Sequence, residues 1–335
     1  MRTYEIILLR FRTPVHFGDA GEGGGLSDVI PYCHADTFFS ALCSEAAKID
    51  EAMLQKLVDK ANSGKILLTD LMPWHGNDGG YDFYIPRPLL PVPSEKAEKP
   101  LSYSEIKKVS SMRKEMKKRA YIRASQCGAY LADMKVGTQT TDQEPEFGKF
   151  VLTTHYNSRT KKPYETGKFY FKDNAGLYLV LSVEDEMDLA WLEKLIRMTG
   201  LNGIGGRRSN GSGKFELEDD PVTLSNDEVY GKDDAALYGF LANEQATVQM
   251  ALSVVLPGMD ELQTAREGSG KLIKRSGFAY SAAIGKPFKA NSIYMMTAGS
   301  CFAQRVAGTI ADVNTGVSPH PICRYGKGIY AGLTL

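Results

Sequence analysis

The chain has 335 residues, 43% of them apolar, and its 40 basic and 40 acidic side chains leave no formal net charge. That length supports one large or two ordinary domains with real cores, and no apolar run is long enough to span a bilayer. Five cysteines (Cys33, Cys43, Cys127, Cys301 and Cys323), never at C-x-x-C spacing, and five dispersed histidines argue against a disulfide framework, a zinc site or any other metal.

Residues 1–14 alternate apolar and polar positions and lack the cationic end, apolar centre and small-residue cleavage site of a secretory signal, so the protein reads as cytoplasmic. Residues 4–11 form a first expected strand, followed by the glycine-rich connection GDAGEGGG. Asp36 or Thr37 then offers an N-cap for a helix whose apolar positions Phe38, Leu42 and Ala46 recur every four residues. Residues 65–71 give a second strand and 177–183 a third. Asp185 can cap a helix through Met198 that buries a stripe including Ala190, Trp191 and Leu195. A short strand at 214–217 completes the order βαββαβ, the ferredoxin-like arrangement that RNA-recognition modules share.

The insertion at about 86–170 is too long for an ordinary loop and should project as a subdomain. Residues 219–245 read as an acidic linker ending in a short helix around 235–242. Strands at 247–256, 277–281, 292–297 and 329–333 then predict a second, smaller ferredoxin-like unit over 246–335, behind a first one over 1–218. The expected class is α+β, two ferredoxin-like (RRM-like) units with a long insertion in the first.

Charge is polarised along the chain. Residues 105–123 carry eight basic side chains against two acidic ones, whereas 216–234 carry eight acidic ones against one lysine. This pattern fits one basic face for RNA and one acidic face for a protein neighbour or solvent, although a solvated helix explains any single run equally simply.

The sequence GIGGRRSNGSGKF at 203–215 is the most informative stretch, with five glycines, Arg207 and Arg208 side by side, Ser209 and Lys214. Glycines let the main chain curl through positive φ so that N–H groups converge on an anion, and the cations add charge around it. A Walker loop fails because Phe215 follows Lys214 and Arg208 stands where its first glycine belongs. A dinucleotide fingerprint fails because the loop follows a helix and precedes a strand. A polyanion is the natural ligand, and a solvated surface turn is the bland alternative.

Six stretches in order resemble one family: VHFG at 15–18, ADTFFSALC at 35–43, the glycine loop, KRSGFAYSA at 274–282, YMMTAGSCF at 294–302 and HPICRYGKG at 320–328. They look like the RAMP proteins of CRISPR effector complexes, and more narrowly are similar to the subunit of the type III-A (Csm) complex that holds the 5′ end of the guide RNA. The resemblance implies a non-catalytic scaffold that grips the repeat-derived 5′ handle of the guide RNA (crRNA) in antiviral defence. Its implied partners are the large polymerase-like subunit and the backbone RAMP subunits, without a cofactor.

Carried over residue by residue, it nominates Gly203, Gly205, Gly206, Arg207, Arg208, Ser209 and Lys214 in the loop, His16, Phe17 and Gly18 after the first strand, and Thr37 on the first helix. It also places an RNA-wedging thumb tip at about 153–162, with Asn157 and Arg159 as contacts. Ala35 departs from the serine that family members often carry, so a hydroxyl contact is lost there. Lys274 and Arg275 (with Lys271) read as a sheet-edge basic patch or a plain solvated face. Arg324 and Tyr325 read as a stacking pair for RNA or a buried cation–π pair. Asp19, Asp28 and Asp36 sit where backbone RAMP subunits carry the aspartate that cuts target RNA, but Asp36 is better explained as a helix cap. Two rival readings stay open: a metal-independent endoribonuclease processing precursor guide RNA through His16 as general base, and an adaptor that touches protein only.

Overall fold

The computed structural model describes residues 2–18, 25–91, 102–156, 160, 162–281 and 284–334. It is an α+β molecule whose sheets are antiparallel, as the sequence pattern predicts.

The strand Thr3–Phe11 lies inside the largest sheet because its apolar run is buried from Tyr4 to Leu9. On one side it pairs with Ala175–Val183, from Thr3 opposite Val183 to Leu9 opposite Leu177. On the other it meets Phe215–Leu217 and Val222–Thr223. Ala175–Val183 is buried at every position, which is why its sequence, AGLYLVLSV, is nearly all apolar rather than alternating. Its far edge takes Ile66–Leu68 and Met72–Asn77, and the sheet continues through Gly80–Pro86 to Tyr121–Arg123.

The helices Ala35–Ile49 and Met187–Asn202 pack beside each other. The first buries Phe38, Phe39, Leu42 and Ala46, the spacing the sequence predicts. The second differs from expectation in its phase. Its buried stripe is Leu192, Leu195, Ile196 and Thr199, while Ala190 is exposed and Trp191 is half-buried beneath the Lys56 ammonium. Trp191 sits at the rim because its indole N–H donates to Asp188, the carboxylate that also holds Lys60.

The expected cap of the first helix is also corrected. The N-cap residue is His34, and the N–H of Ala35 donates to Asp70 Oδ1 at 2.8 Å, so neither Asp36 nor Thr37 caps. Asp36 lies inside the first turn, fully buried.

The insertion contains a helix at Tyr103–Lys118 with a Ser102–Glu105 capping box, the strand Tyr121–Arg123, a helix at Cys127–Val136, and a long hairpin of Gly148–Tyr156 with Pro163–Phe171. Its basic run divides by chemistry. Arg113 donates to the carbonyls of Met134 and Lys135, Arg119 to Thr141 and Asp142, and Arg123 pairs with Asp82 and Asp233, whereas Lys107, Lys108, Lys114 and Lys117 stay exposed.

The acidic stretch read as a linker is in part core. The helix Lys232–Ala242 buries Leu237 and Leu241, and the Asp233 carboxylate takes Arg123 together with the N–H groups of Phe83 and Ser125. Residues 248–333 form further short antiparallel ladders, including Val248–Ala251 with Tyr330–Leu333, Leu272–Arg275 with Ile293–Met296, and Gly308–Asp312 with Cys323–Lys327. None of the helices among the described residues is long and apolar enough to cross a membrane.

Candidate nucleic-acid interface

The glycine stretch leaves the helix Met187–Asn202 and returns to the sheet at Phe215. The curl expected from its composition is present: Gly203, Gly205, Gly211 and Gly213 all have φ near +80°, and Arg207, at φ 61°, is the one non-glycine residue in the left-handed region among the described residues. One bond crosses the curl and a second ties it to the segment after the first strand. Ile204 N–H donates to the Gly213 carbonyl at 3.0 Å, and Gly213 N–H donates to Pro14 at 2.9 Å.

The N–H groups are less available than the sequence reading assumes. Those of Gly206, Asn210, Gly211, Ser212 and Lys214 bond to His16 O, Arg207 O, Arg208 O, Arg207 O and Thr13 Oγ1. Among the described residues, the N–H groups of Gly205, Arg207, Arg208 and Ser209 have no such acceptor. The N–H groups left without an acceptor among the described residues therefore lie in the loop's crown, 205–209, and the rest is a strut.

His16 explains why the crown is glycine-rich. It is buried, its Nδ1 donates to the Gly167 carbonyl at 2.8 Å, and a Cβ on Gly206 would come within 2.5 Å of its ring. That bond fixes the proton on Nδ1 in the neutral ring. Gly167 belongs to the hairpin strand Pro163–Phe171, and the same strand receives Arg207, which donates to Thr166 Oγ1 at 3.1 Å while its guanidinium lies 5.7 Å from the Tyr164 ring centre. The loop, the segment after the first strand and the hairpin are thus one assembly. Arg208 and Lys214 are exposed on it with no ion-pair partner among the described residues, Ser209 is exposed beside them, and Gly18 is exposed at the end of the His16 segment.

Phe17 does not share this exposure. It is buried against Phe11 at 6.0 Å between ring centres, so its ring is core and cannot stack on a base.

The C-terminal nominees gather at the first helix. The buried Asp36 carboxylate receives both Arg275 Nε and Nη2 at 2.9 Å, and Arg324 Nη1 at 2.8 Å; Arg275 Nη2 also donates to Thr37 Oγ1. Burial pushes the Asp36 carboxyl upward, but the two guanidiniums outweigh it and hold the group well below the usual carboxylate range. Tyr325 is fully buried against Phe39, and its hydroxyl accepts the N–H of Leu68. Arg275 and Tyr325, both buried, are thereby corrected from RNA contacts to the seam that joins residues 248–333 to the first helix, and the partly exposed Thr37 and Arg324 join the same seam. Lys274, on the opposite face of its strand from Arg275, stays half-exposed, with no ion-pair partner among the described residues. Asp19, Asn157 and Arg159 lie outside the described residues, as do residues 158 and 161 of the expected thumb tip.

With this geometry in place, comparison with known proteins is decisive. A model of the CRISPR Csm4 C-terminal domain matches residues 244–333. A "CRISPR system Cms protein Csm4" of Mycobacterium tuberculosis (strain CDC 1551 / Oshkosh) is 32% identical over 330 residues, covering 95% of this chain and 94% of that protein. The chain belongs to the Csm4 family. A Csm4 of Streptococcus thermophilus is 25% identical over 329 residues, covering 98% of both. The Csm4 fold is shared with a Csm3–Csm4 subcomplex of the type III-A CRISPR-Cas interference complex, at TM-score 0.63 and 16% identity over 99% of this chain and 100% of that one. It is shared also with a Csm1–Csm4 cassette bound to pppApA, at TM-score 0.59 and 16% identity over 100% and 99%.

For this Csm4-family chain, sequence reasoning missed Tyr164, Thr166 and Gly167, the hairpin residues that receive the glycine loop. A signal existed: Tyr164 and Thr166 alternate along one strand and so share a face. Asp70 was missed as well. It holds His34, the N–H of Ala35 and the N–H of Val254 at once, and nothing local in the sequence marks it.

Proposed function

We propose that this chain is the non-catalytic guide-RNA subunit of a type III-A Csm complex, anchoring the 5′ handle of the crRNA in the cytoplasm during antiviral defence. Its neighbours there are the large polymerase-like subunit and the backbone RAMP subunits, in keeping with solved relatives described as Csm1–Csm4 and Csm3–Csm4 assemblies. The observation that carries the reading is a pair of cations with no ion-pair partner among the described residues, Arg208 and Lys214, on a loop locked by His16 and Arg207 against the hairpin. Phosphates are held by these cations and by the N–H groups of Gly205, Arg207, Arg208 and Ser209, while splayed bases meet the hairpin face.

The architecture supports it. Strands Phe215–Leu217, Thr3–Phe11, Ala175–Val183 and Ile66–Leu68 lie in that spatial order, with two helices packed together, which is a ferredoxin-like unit of residues 1–218 carrying the insertion at about 86–170. The family match starting at residue 244 supports a second unit over 246–335 after the acidic segment 219–245.

The test is the salt dependence of handle binding by the reconstituted complex. Arg208→Ala with Lys214→Ala should weaken binding and lower the log–log salt slope by roughly 1.4, two single-strand phosphate contacts at about 0.7 each. Arg207→Ala should lower affinity with a smaller slope change, because its guanidinium is spent on Thr166 and Tyr164. Unchanged affinity and slope in the double variant would remove the loop from the interface.

A further inference from the structure

Between Glu267 and Asp312 the sequence contains no acidic residue, yet it carries Lys271, Lys274, Arg275, Lys286, Lys289 and Arg305. Arg275 and Arg305 are paired with carboxylates from elsewhere in the chain, Asp36 and Glu244, which leaves the lysines as the stretch's unpaired charge among the described residues.

This stretch forms two antiparallel pairs, Leu272–Arg275 with Ile293–Met296 and Phe278–Ser281 with Lys286–Lys289. Register places Phe278 opposite Lys289 and Lys274 opposite Tyr294, and directly opposed residues share a face. Tyr280, two positions from Phe278, lies on the same face as that ring. The inward faces are anchored: Phe288 is buried, Ser281 bonds His320 Nε2 at 2.7 Å, and Arg275 holds Asp36. The outward faces are bare, with Phe278 78%, Tyr280 59% and Tyr294 60% exposed. Among the described residues, Lys271, Lys274 and Lys289 have no ion-pair partner; Lys286, opposite Ser281, lies on the other face of its ladder.

We propose that this face is a second nucleic-acid contact, separate from the glycine loop: a stacking platform for single-stranded RNA, with bases on Phe278, Tyr280 and Tyr294 and phosphates along Lys274 and Lys289. An apolar protein surface would cover the rings but strand the ammonium groups, and an acidic one would satisfy the lysines without needing rings. Exposed aromatics interleaved with unpaired cations are what a single strand requires, since every base offers a π-face and every linkage a negative charge. Contact of this kind is tolerant of sequence.

The experiment uses the full-length protein and a fluorescein-labelled single-stranded oligouridylate, read by anisotropy, with melting temperature as the check on folding. Phe278→Ala and Tyr280→Ala are each expected to weaken binding roughly five- to a hundredfold at unchanged melting temperature, on the scale of one lost base stack. Tyr280→Phe should bind like the parent, and Lys289→Ala should flatten the salt slope. Absence of any binding by the parent protein overturns the proposal. So does a Phe278→Ala, Tyr280→Ala double variant that binds as the parent does while Arg208→Ala weakens binding, an outcome that leaves the glycine-loop reading standing. If the double variant instead keeps its RNA affinity but loses a protein subunit of the complex, the face is a protein interface and the platform is refuted.

Discussion

Asp36→Ala should lower the unfolding free energy by about 3–5 kcal/mol, the scale for breaking a buried ion pair from one side. Arg275 and Arg324 both converge on that carboxylate, so its removal leaves two guanidiniums inside the protein without their counter-charge. Urea unfolding followed by circular dichroism measures the loss. The contrasting variant replaces the triad with apolar residues, Asp36→Leu with Arg275→Met and Arg324→Leu, and should recover most of the stability because no charge is then left buried. If Asp36→Ala alone is as stable as the parent, the triad is not the seam described here. The acid dependence has a definite sign. The Asp36 carboxyl titrates lower in the folded chain than in the unfolded one, so its stabilisation is complete above about pH 4 and drains as the pH falls towards the folded-state value. Asp36→Asn should therefore flatten the stability profile below about pH 4 and cost most above it.

Gly213→Ala is expected to be the most damaging single methyl group in the loop. Its φ is +80°, and a Cβ there would lie 2.0 Å from the Ile204 carbonyl oxygen, the backbone of the opposite side of the curl. Neither side can yield cheaply, because Ile204 N–H bonds Gly213 O and Gly213 N–H bonds Pro14 O. Left-handed strain alone costs about 1–2 kcal/mol, and the clash adds to it. The expected result is a loss of more than about 2 kcal/mol in urea unfolding together with loss of handle binding. Gly211→Ala serves as control: it has a similar φ, but its added Cβ meets nothing within 4 Å. It should pay the conformational cost alone and keep RNA binding. Equal effects from the two substitutions would show that the crossing of the curl does not matter.

The parts of this molecule that were legible in the sequence are those governed by neighbours in sequence. The run at Ala175–Val183 reads as a buried strand because both of its faces are covered, and the four-residue spacing of Phe38, Leu42 and Ala46 reads as a helix face. The glycine loop reads as a curl because positive φ is a property of single residues. What failed was anything decided by a distant partner. Asp36 looks like a cap by residue type, yet its role is set by arginines 239 and 288 positions away. Phe17 and Tyr325 are aromatic beside basic or imidazole groups, which suits RNA stacking and core packing equally; only burial distinguishes them. Arg207 and Arg208 are identical in sequence terms, but one is bonded to the hairpin and the other faces solvent. The acidic stretch 216–234 reads as surface, while Asp233 and Asp234 are buried for the sake of backbone N–H groups and an arginine.

A photocrosslink map of guide RNA in the reconstituted complex, with 4-thiouridine placed through the handle, goes straight to the question of whether the locked loop embraces RNA. The expected crosslinks fall on peptides spanning residues 203–214 and 163–171. A map with strong handle crosslinks to other subunits or other parts of this chain, and none on those two segments, would contradict it.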